Sequence, residues 1–338
     1  MSEIVDNVQL SICIATRNRG KYIGETLASI LGQCPAEVEV VVVDGASTDN
    51  TGSVVSALAE AYPRLRYLPQ AANSGVDGDF DKTVELARGR YCWLMPDDDL
   101  MAPGAIAAVL AACSRGVDLV IVDAEVRSAD FAQLLIPHRL GFPDARFYPA
   151  QAADLLLAEC GRHLTYIGAV VVRRELWLSR QRKPYYGTEF VHFGVLFQAP
   201  LPNGATALGP PLIMIRYGVG NWSSRSFEVW MYKWPALVWS FGWLSVASRL
   251  ATTCREPWRS FRALVLYRAK GWYSWKEFVQ FVRPRASSRW HTLIPGFVAI
   301  LPGRLLNVAL LALARVLGKD HSGGIYDLKR SPYFAGRR

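Results

Sequence analysis

Two rhythms of apolar and polar positions organise the first 125 residues. Val8–Ala15 is an apolar run, and Val38–Val43 is five valines and one glutamate. Both predict buried strands. Tyr22–Leu31, Asn50–Tyr62 and Phe80–Ala87 space their apolar residues as helices do, and Ser47, Thr48 and Asp49 stand ready to cap the second. Arg66–Leu68 and Tyr91–Met95 read as further strands. Pro103–Cys113 reads as a helix with proline in its first turn, and Leu119–Asp123 as one more strand. Strand and helix in strict succession predict an α/β fold: a mostly parallel central sheet with helices on both faces.

Beyond about residue 125 the rhythm loosens. Leu164–Val172 is predicted as a strand, Arg174–Ser179 as a short helix and Pro211–Arg216 as a strand. Trp230, Trp234 and Phe241, then Trp272, Trp275, Val279 and Val282, recur at helical spacing, so the last third is expected to be a helical extension. No internal repeat or low-complexity tract is visible.

Composition adds a division. The 338 residues are 51% hydrophobic and 20% charged, which excludes a disordered or fibrous chain. The net charge of +9 conceals an acidic first part, −9 over residues 1–125, and a basic remainder, +18 over 126–338. An acidic half can hold metal; a basic half can face phosphate, nucleic acid or an anionic membrane. The six cysteines show no CxxC or zinc spacing, and Met1–Asn7, with Glu3 and Asp6, has no leader-like block. A reducing, cytoplasmic setting is therefore expected. No run reaches the ~20 clean apolar residues of a membrane span. Phe190–Ile215 is broken by four prolines, Trp234–Ser248 has 15 residues, and Thr292–Leu317 is interrupted by Pro295, Pro302 and Arg304.

Ligands of open parallel sheets bind beyond the carboxyl ends of the strands, so the chemistry is sought there. The first strand leads into Ala15-Thr16-Arg17-Asn18-Arg19-Gly20, polar and basic, with no dinucleotide-binding GxGxxG. The second leads into Asp44-Gly45-Ala46-Ser47-Thr48-Asp49, an acid able to accept from base or ribose donors or simply to cap a turn. After Tyr91–Met95 comes Pro96-Asp97-Asp98-Asp99. Three successive carboxylates repel one another without a cation, and hard oxygen donors suit Mg²⁺ or Mn²⁺ shared with substrate phosphates.

Together these segments resemble the GT-A-fold glycosyltransferases of family 2. The resemblance runs in register through SICIATRNR (11–19), VVVDGASTDNT (41–51), Asn73-Ser74-Gly75, ARGRYCW (87–93) and the acidic triplet. A looser match links Gly75-Val76-Asp77, Phe80, Tyr91-Cys92-Trp93, Gly187-Thr188, His192, Pro211–Arg216 and Asn221 to the abequosyltransferase-like branch of bacterial surface-polysaccharide sugar transferases. The resemblance implies that Asp44 contacts the donor nucleobase. It implies that Thr16, Arg17, Asn18, Asn73, Asp77 and Asp97 help line the nucleotide sugar, and that Asp98 and above all Asp99 hold the metal. Two departures stand out: Pro96 and Gly45 occupy positions where relatives often carry an aspartate.

Relatives place a catalytic acid in the second half. Here Gly187–His192 is the comparable segment, with Glu189 or His192 as base, His192 alternatively as a further metal ligand, and Asp123, Asp77 and Asp79 as weaker alternatives. Arg216 and Arg225 are candidates for stabilising the leaving diphosphate. The expected activity is metal-dependent, inverting transfer from a nucleoside-diphosphate sugar to a saccharide, with a polyprenyl-diphosphate-linked acceptor in O-antigen or exopolysaccharide assembly. The rivals are a sugar nucleotidyltransferase, which needs a glycine run absent after the first strand, and a non-catalytic sugar- or lipid-binding scaffold. Residues 1–125 are expected to form the donor-binding half, 126–225 the acceptor half, and 226–338 a basic region with net charge +14 over 225–338. Nine of eleven tryptophans lie between Trp222 and Trp290 among arginines, which suits peripheral attachment to the inner face of an anionic cytoplasmic membrane. No nucleic-acid module is present.

Overall fold

The computed structural model describes residues 8–220, 225–317 and 323–336. The segment Met1–Asn7 and Asn221, which figured in the sequence reading, lie outside them. The chain divides into one unit of Met1–Tyr217 with Phe241–Thr252, and a second of Gly218–Ser240 with Thr253–Arg338.

The first unit is built on a mixed sheet. The valine-rich runs become β1 (Leu10–Thr16) and β2 (Val38–Asp44), joined by α1 (Ile23–Leu31), with every β2 residue buried. Then come α2 (Thr51–Ala61), β3 (Leu65–Pro69), α3 (Val76–Leu86), β4 (Tyr91–Leu94), β5 (Leu100–Met101), α4 (Ala105–Cys113) and β6 (Leu119–Arg127). Two three-residue strands, β7 (Leu134–Ile136) and β8 (Arg146–Tyr148), precede α5 (Ala153–Cys160), β9 (Val170–Arg173), α6 (Arg174–Ser179), α7 (Val191–Phe197) and β10 (Ala205–Arg216). The strand order is β3-β2-β1-β4-β9-β6-β10-β5, with β7 on β6 and β8 on β10. The ladders β3-β2-β1-β4 and β6-β10 are parallel, while β9 runs antiparallel between β4 and β6. Strand β6 crosses the expected 125/126 division without a break.

One predicted strand is corrected. Leu164–Val172 contains two 3-10 turns, His163–Thr165 and Ile167–Ala169, and only its end is strand. The backbone turns there because it has partners elsewhere: the Trp93 indole N–H donates to the Gly168 carbonyl at 2.9 Å, and the Tyr166 hydroxyl points to Asp99. An apolar run cannot reveal that diversion.

In the second unit, α8 (Ser226–Glu228), a π-helical turn at Val229–Lys233 and α9 (Trp234–Ser240) follow without a break. Helix α10 (Val246–Thr252) belongs to the first unit, where the Ser248 hydroxyl donates to Asp154 and the Thr252 hydroxyl to the Leu157 carbonyl. The second unit resumes with α11 (Phe261–Lys270), α12 (Trp275–Glu277), α13 (Arg289–Ile300), α14 (Gly303–Val316) and α15 (Gly323–Arg330). Phe227, Met231, Trp258, Leu264, Tyr273, Phe278, Val282 and Val298 form its main core. Trp234 is buried too, so part of the tryptophan richness is ordinary packing. Among the described residues no single helix is long and apolar enough to cross a membrane; α13 and α14 pass that test only as a pair bent by 88°.

Candidate active site

The register of the sheet sets the site. Thr16 at the end of β1 pairs with Asp44 at the end of β2, and the Met95 amide donates to the Cys13 carbonyl, so the chain leaves β4 beside β1. Side chains tie the loops that follow. The Asn18 amide donates to the Ser47 hydroxyl and its side-chain oxygen accepts from the Thr48 amide, each at 2.8 Å. The Arg19 amide donates to the Thr51 hydroxyl at 2.7 Å, and the Gly20 amide to Asp49 at 3.1 Å. Asn18 and Ala46 hold left-handed backbone, φ +54° and +62°, a strain that such over-determined loops sustain. Asn18 thus shapes the loop, whereas Arg17 projects from it, exposed.

Asp44 is buried. One carboxylate oxygen accepts from the Ser47 amide and the other from the Tyr67 hydroxyl, both at 2.8 Å. Gly45 has a spatial explanation. A Cβ at residue 45 would stand 2.5 Å from a carboxylate oxygen of Asp79 and 3.1 Å from the Asn73 side-chain oxygen. The aspartate missing from the β2 loop is thus replaced in space by one from α3, which Gln70 and Ser74 hold by donating to its other oxygen. Asn73 accepts from the Gly75 amide just before α3.

The acidic triplet is a tight turn between β4 and β5. Arg19 spans Asp97 (3.4 Å) and Asp98 (3.3 Å), and Thr16 lies against Asp97. Asp99, 2% exposed, accepts from the Tyr166 hydroxyl on one oxygen and from the Arg216 amide on the other, both at 2.7 Å. Burial, and then the neighbouring Asp98, push Asp97 up to about 7 and Asp99 up to about 8; burial also raises Asp98. The sequence reading missed Arg19 and Tyr166. Arg19 was visible in the 11–19 motif, but Tyr166 was concealed in the segment read as strand.

Whether this turn fits a divalent cation is decided by its donors. Carboxylates are the hard oxygen ligands that Mg²⁺ and Mn²⁺ prefer, and the cluster already attracts a guanidinium. Among the described residues no three His, Cys, Asp or Glu side chains converge as a complete ligand set. The turn therefore fits an ion held by one or two carboxylates and completed by substrate phosphate and water. Tyr166 and Arg216 orient Asp99 as outer-shell donors orient a ligand.

His192 does not join that set, a correction to its reading as ligand. It is fully buried on α7, its Nε2 donates to the Leu164 carbonyl at 2.9 Å, and burial lowers its pKa to about 4. That makes it a neutral core histidine. Arg216 is corrected likewise. Its guanidinium donates to the Asp98 carbonyl (2.9 Å), the Ala129 carbonyl (3.0 Å) and Glu25, and lies 4.2 Å over the Phe131 ring. It braces the acidic turn rather than reaching for diphosphate. Arg225 is an exposed residue of the second unit.

Asp77 and Glu189 come together. The Asp77 carboxylate accepts from the Glu189 amide at 2.9 Å and the Val191 amide at 3.0 Å, which fastens the start of α7 to the start of α3. Asp77, expected at the nucleotide sugar, thus serves as an anchor between the two helix starts. Glu189 is held at φ +72°, a rare conformation for a non-glycine residue and one concentrated at functional sites. Asp123 is a loop anchor as well: fully buried, it accepts from the amides of Ala124, Arg139 and Leu140 and faces His138.

The carboxyl ends of the parallel strands β1, β2 and β4 thus bring together an acid after β2 and a carboxylate turn after β4, the arrangement that the resemblance to GT-A glycosyltransferases implies. Residues 11–168 match the family described as Glycosyl transferase family 2, and the chain carries a domain of that family. It is 27% identical over 220 residues to the abequosyltransferase RfbV of Salmonella typhimurium, covering 61% of this chain and 66% of that protein. It is 29% identical over 109 residues to the GalNAc(5)-diNAcBac-PP-undecaprenol beta-1,3-glucosyltransferase of Campylobacter jejuni, 32% of this chain and 35% of that one. The fold is that of S. aureus TarS 1-349 (TM-score 0.59, 17% identity, 95% of this chain and 89% of that one). It is also that of the Pyrobaculum calidifontis mannosyltransferase PcManGT in complex with GDP-Man and Mn²⁺ (TM-score 0.54, 17% identity, 95% and 86%). The chain spans at most about two thirds of the length of the curated relatives it matches.

Proposed function

We propose that this glycosyltransferase moves a sugar, with inversion, from a nucleoside diphosphate to a hydroxyl of a saccharide carried on a polyprenyl diphosphate, with a divalent metal and Glu189 as base. The observation that carries the reading is the convergence of the β1, β2 and β4 ends. Asp44 and Asp79 line the nucleotide side, and Asp97–Asp99 supply carboxylates next to it. The lipid-linked acceptor draws support from the name of the Campylobacter relative, and the metal from the carboxylate turn.

Asp98 and Asp99 would hold the cation, whose Lewis acidity offsets the charge that develops on the departing diphosphate. Asp44 and Asp79 accept hydrogen bonds from the nucleoside, which fixes the donor's orientation. Glu189, presented by its left-handed backbone, takes the proton from the acceptor hydroxyl as it attacks the anomeric carbon from the face opposite the leaving group. Such a base contributes roughly 10²–10⁴-fold. Arg19, already against Asp97 and Asp98, is the cation placed to swing toward phosphate once a metal displaces it.

The test is turnover of a panel of nucleoside-diphosphate sugars by purified protein with Mn²⁺ and with chelator. Glu189→Gln should retain donor binding and lose turnover; Asp99→Asn should lose both metal response and turnover. Full activity of both variants would overturn these assignments.

A further inference from the structure

The second unit leaves one face of two successive helices uncovered. On α13, Pro295, Gly296, Val298 and Ala299 are buried, while Trp290, Leu293, Ile294, Phe297 and Ile300 are 41–70% exposed. On α14, Asn307, Leu311 and Ala314 are buried, while Leu305, Val308, Leu313 and Val316 are 52–84% exposed. Steps of three and four residues align the α13 set as a stripe, and on α14 Leu305, Leu313 and Val316 share one face with Val308 at its margin. Large apolar side chains exposed in this number on neighbouring helices mark an interaction surface.

Charge identifies what covers it. From Phe278 to Leu317 the chain contains no Asp or Glu, yet it carries Arg283, Arg285, Arg289, Arg304 and Arg315, all exposed. A protein partner's rim is usually mixed in sign; an apolar stretch whose own charged residues are all arginines complements an anionic bilayer surface. At 1.5 Å per residue, α13 and α14 are roughly 18 and 21 Å long, short of a ~30 Å hydrocarbon core and suited to lying within the interface. The indole of Trp290 belongs at headgroup depth.

We propose that the α13–α14 elbow seats the enzyme on an anionic membrane, with the apolar stripes entering the headgroup–acyl boundary and the arginines meeting lipid phosphates. This narrows the attachment expected from sequence, for which Trp234–Ser248 and Thr292–Leu317 both offer apolar stretches, to the second of them. In Trp234–Ser248, the other apolar candidate, Trp234, Leu237, Val238, Phe241 and Leu244 are buried, so that segment has little to offer a bilayer.

The test is co-sedimentation of the full chain with vesicles of phosphatidylglycerol and phosphatidylcholine against vesicles of phosphatidylcholine alone, at low and high salt. Partition should be about tenfold stronger onto the anionic vesicles at low salt and should weaken as salt screens the arginines. Phe297→Glu combined with Leu305→Glu, both at exposed positions, should abolish binding with the melting temperature and donor hydrolysis in solution unchanged. Arg289→Ala with Arg304→Ala should reduce binding to anionic vesicles alone. Equal binding by wild type and the glutamate variant overturns the proposal. So does concentration-dependent dimerisation, lost in that variant, without vesicle binding, because a second copy would then cover the face. Donor turnover needs no vesicle and vesicle binding needs no donor, so failure here is distinguishable from failure of the proposed activity.

Discussion

Asp77→Ala removes the acceptor of two buried amides. Its carboxylate takes the Glu189 N–H at 2.9 Å on one oxygen and the Val191 N–H at 3.0 Å on the other. All seven residues of α7 are buried, so no water replaces it readily. Each amide left unpaired costs about 1–3 kcal/mol, and a mid-range loss for the two is about 4 kcal/mol. For a unit of this size, 1 kcal/mol lowers the melting temperature by about 2–4 °C, so the midpoint should fall by roughly 8–16 °C. Asp77→Asn keeps one accepting oxygen and should lose about half as much. Melting by scanning fluorimetry, paired with donor hydrolysis well below the midpoint, separates two readings. If Asp77 anchors the Glu189 turn, the variants melt early and kcat falls because the base is no longer held, while donor KM stays as in wild type. If it binds the nucleotide, KM rises with the midpoint unmoved. A wild-type melting curve for Asp77→Ala would refute the anchor.

Three further outcomes are expected. Asp97 and Asp99, near 7 and near 8, lie above the unfolded value of about 3.9, so without metal these two groups contribute stability that is full below that value and is lost as pH rises through 7 to 8. A cation that must displace one such proton should bind about tenfold more tightly at pH 8 than at pH 6, measured as the Mn²⁺-induced thermal shift; a shift independent of pH would remove the carboxylates from the metal site. Gly45→Asp should be destabilising by about 1–3 kcal/mol because its Cβ would meet Asp79 at 2.5 Å, and pairing it with Asp79→Gly should restore donor affinity; a harmless single substitution would refute the replacement in space. Arg216→Lys should raise the Mn²⁺ concentration for half-maximal rate by about tenfold with donor KM unchanged, since the side chain braces the Asp98–Asp99 turn; a rise in donor KM alone would return it to the diphosphate.

The α/β succession was legible because each piece announces itself locally. Five valines in six positions have no stable place but a buried strand, and β2 has every residue buried. The strands that escaped notice, β5, β7 and β8, are two or three residues long and exist only because a neighbour offers them a ladder. Leu164–Val172 failed for the opposite reason: its apolar composition is real, but the Trp93 indole and Asp99 draw the backbone into turns. Trp234–Ser248 is uniform in composition and yet is divided between two units.

Site residues were legible as types and not as partners. An acid in a motif shows that a carboxylate is needed near a strand end; whether its oxygens face solvent or the backbone depends on residues far away in the chain. Asp77 and Asp44 are equally plausible ligands by sequence, and both oxygens of each have partners in the protein: Asp77 takes amides 112 and 114 residues away, Asp44 the Ser47 amide and the Tyr67 hydroxyl. Asp79, ranked below both, is the one that fills the space above Gly45. The arginines differ in their partners. The Arg216 guanidinium is bound by carbonyls, Glu25 and the Phe131 ring, whereas that of Arg19 pairs with Asp97 and Asp98 of the acidic turn and lies over the Tyr22 ring. A cation whose carboxylate partners are needed by a metal is released when the metal binds; a cation committed to backbone carbonyls stays. On the proposed function, movement on metal binding is therefore expected of Arg19, with Arg216 on β10 staying on its carbonyls.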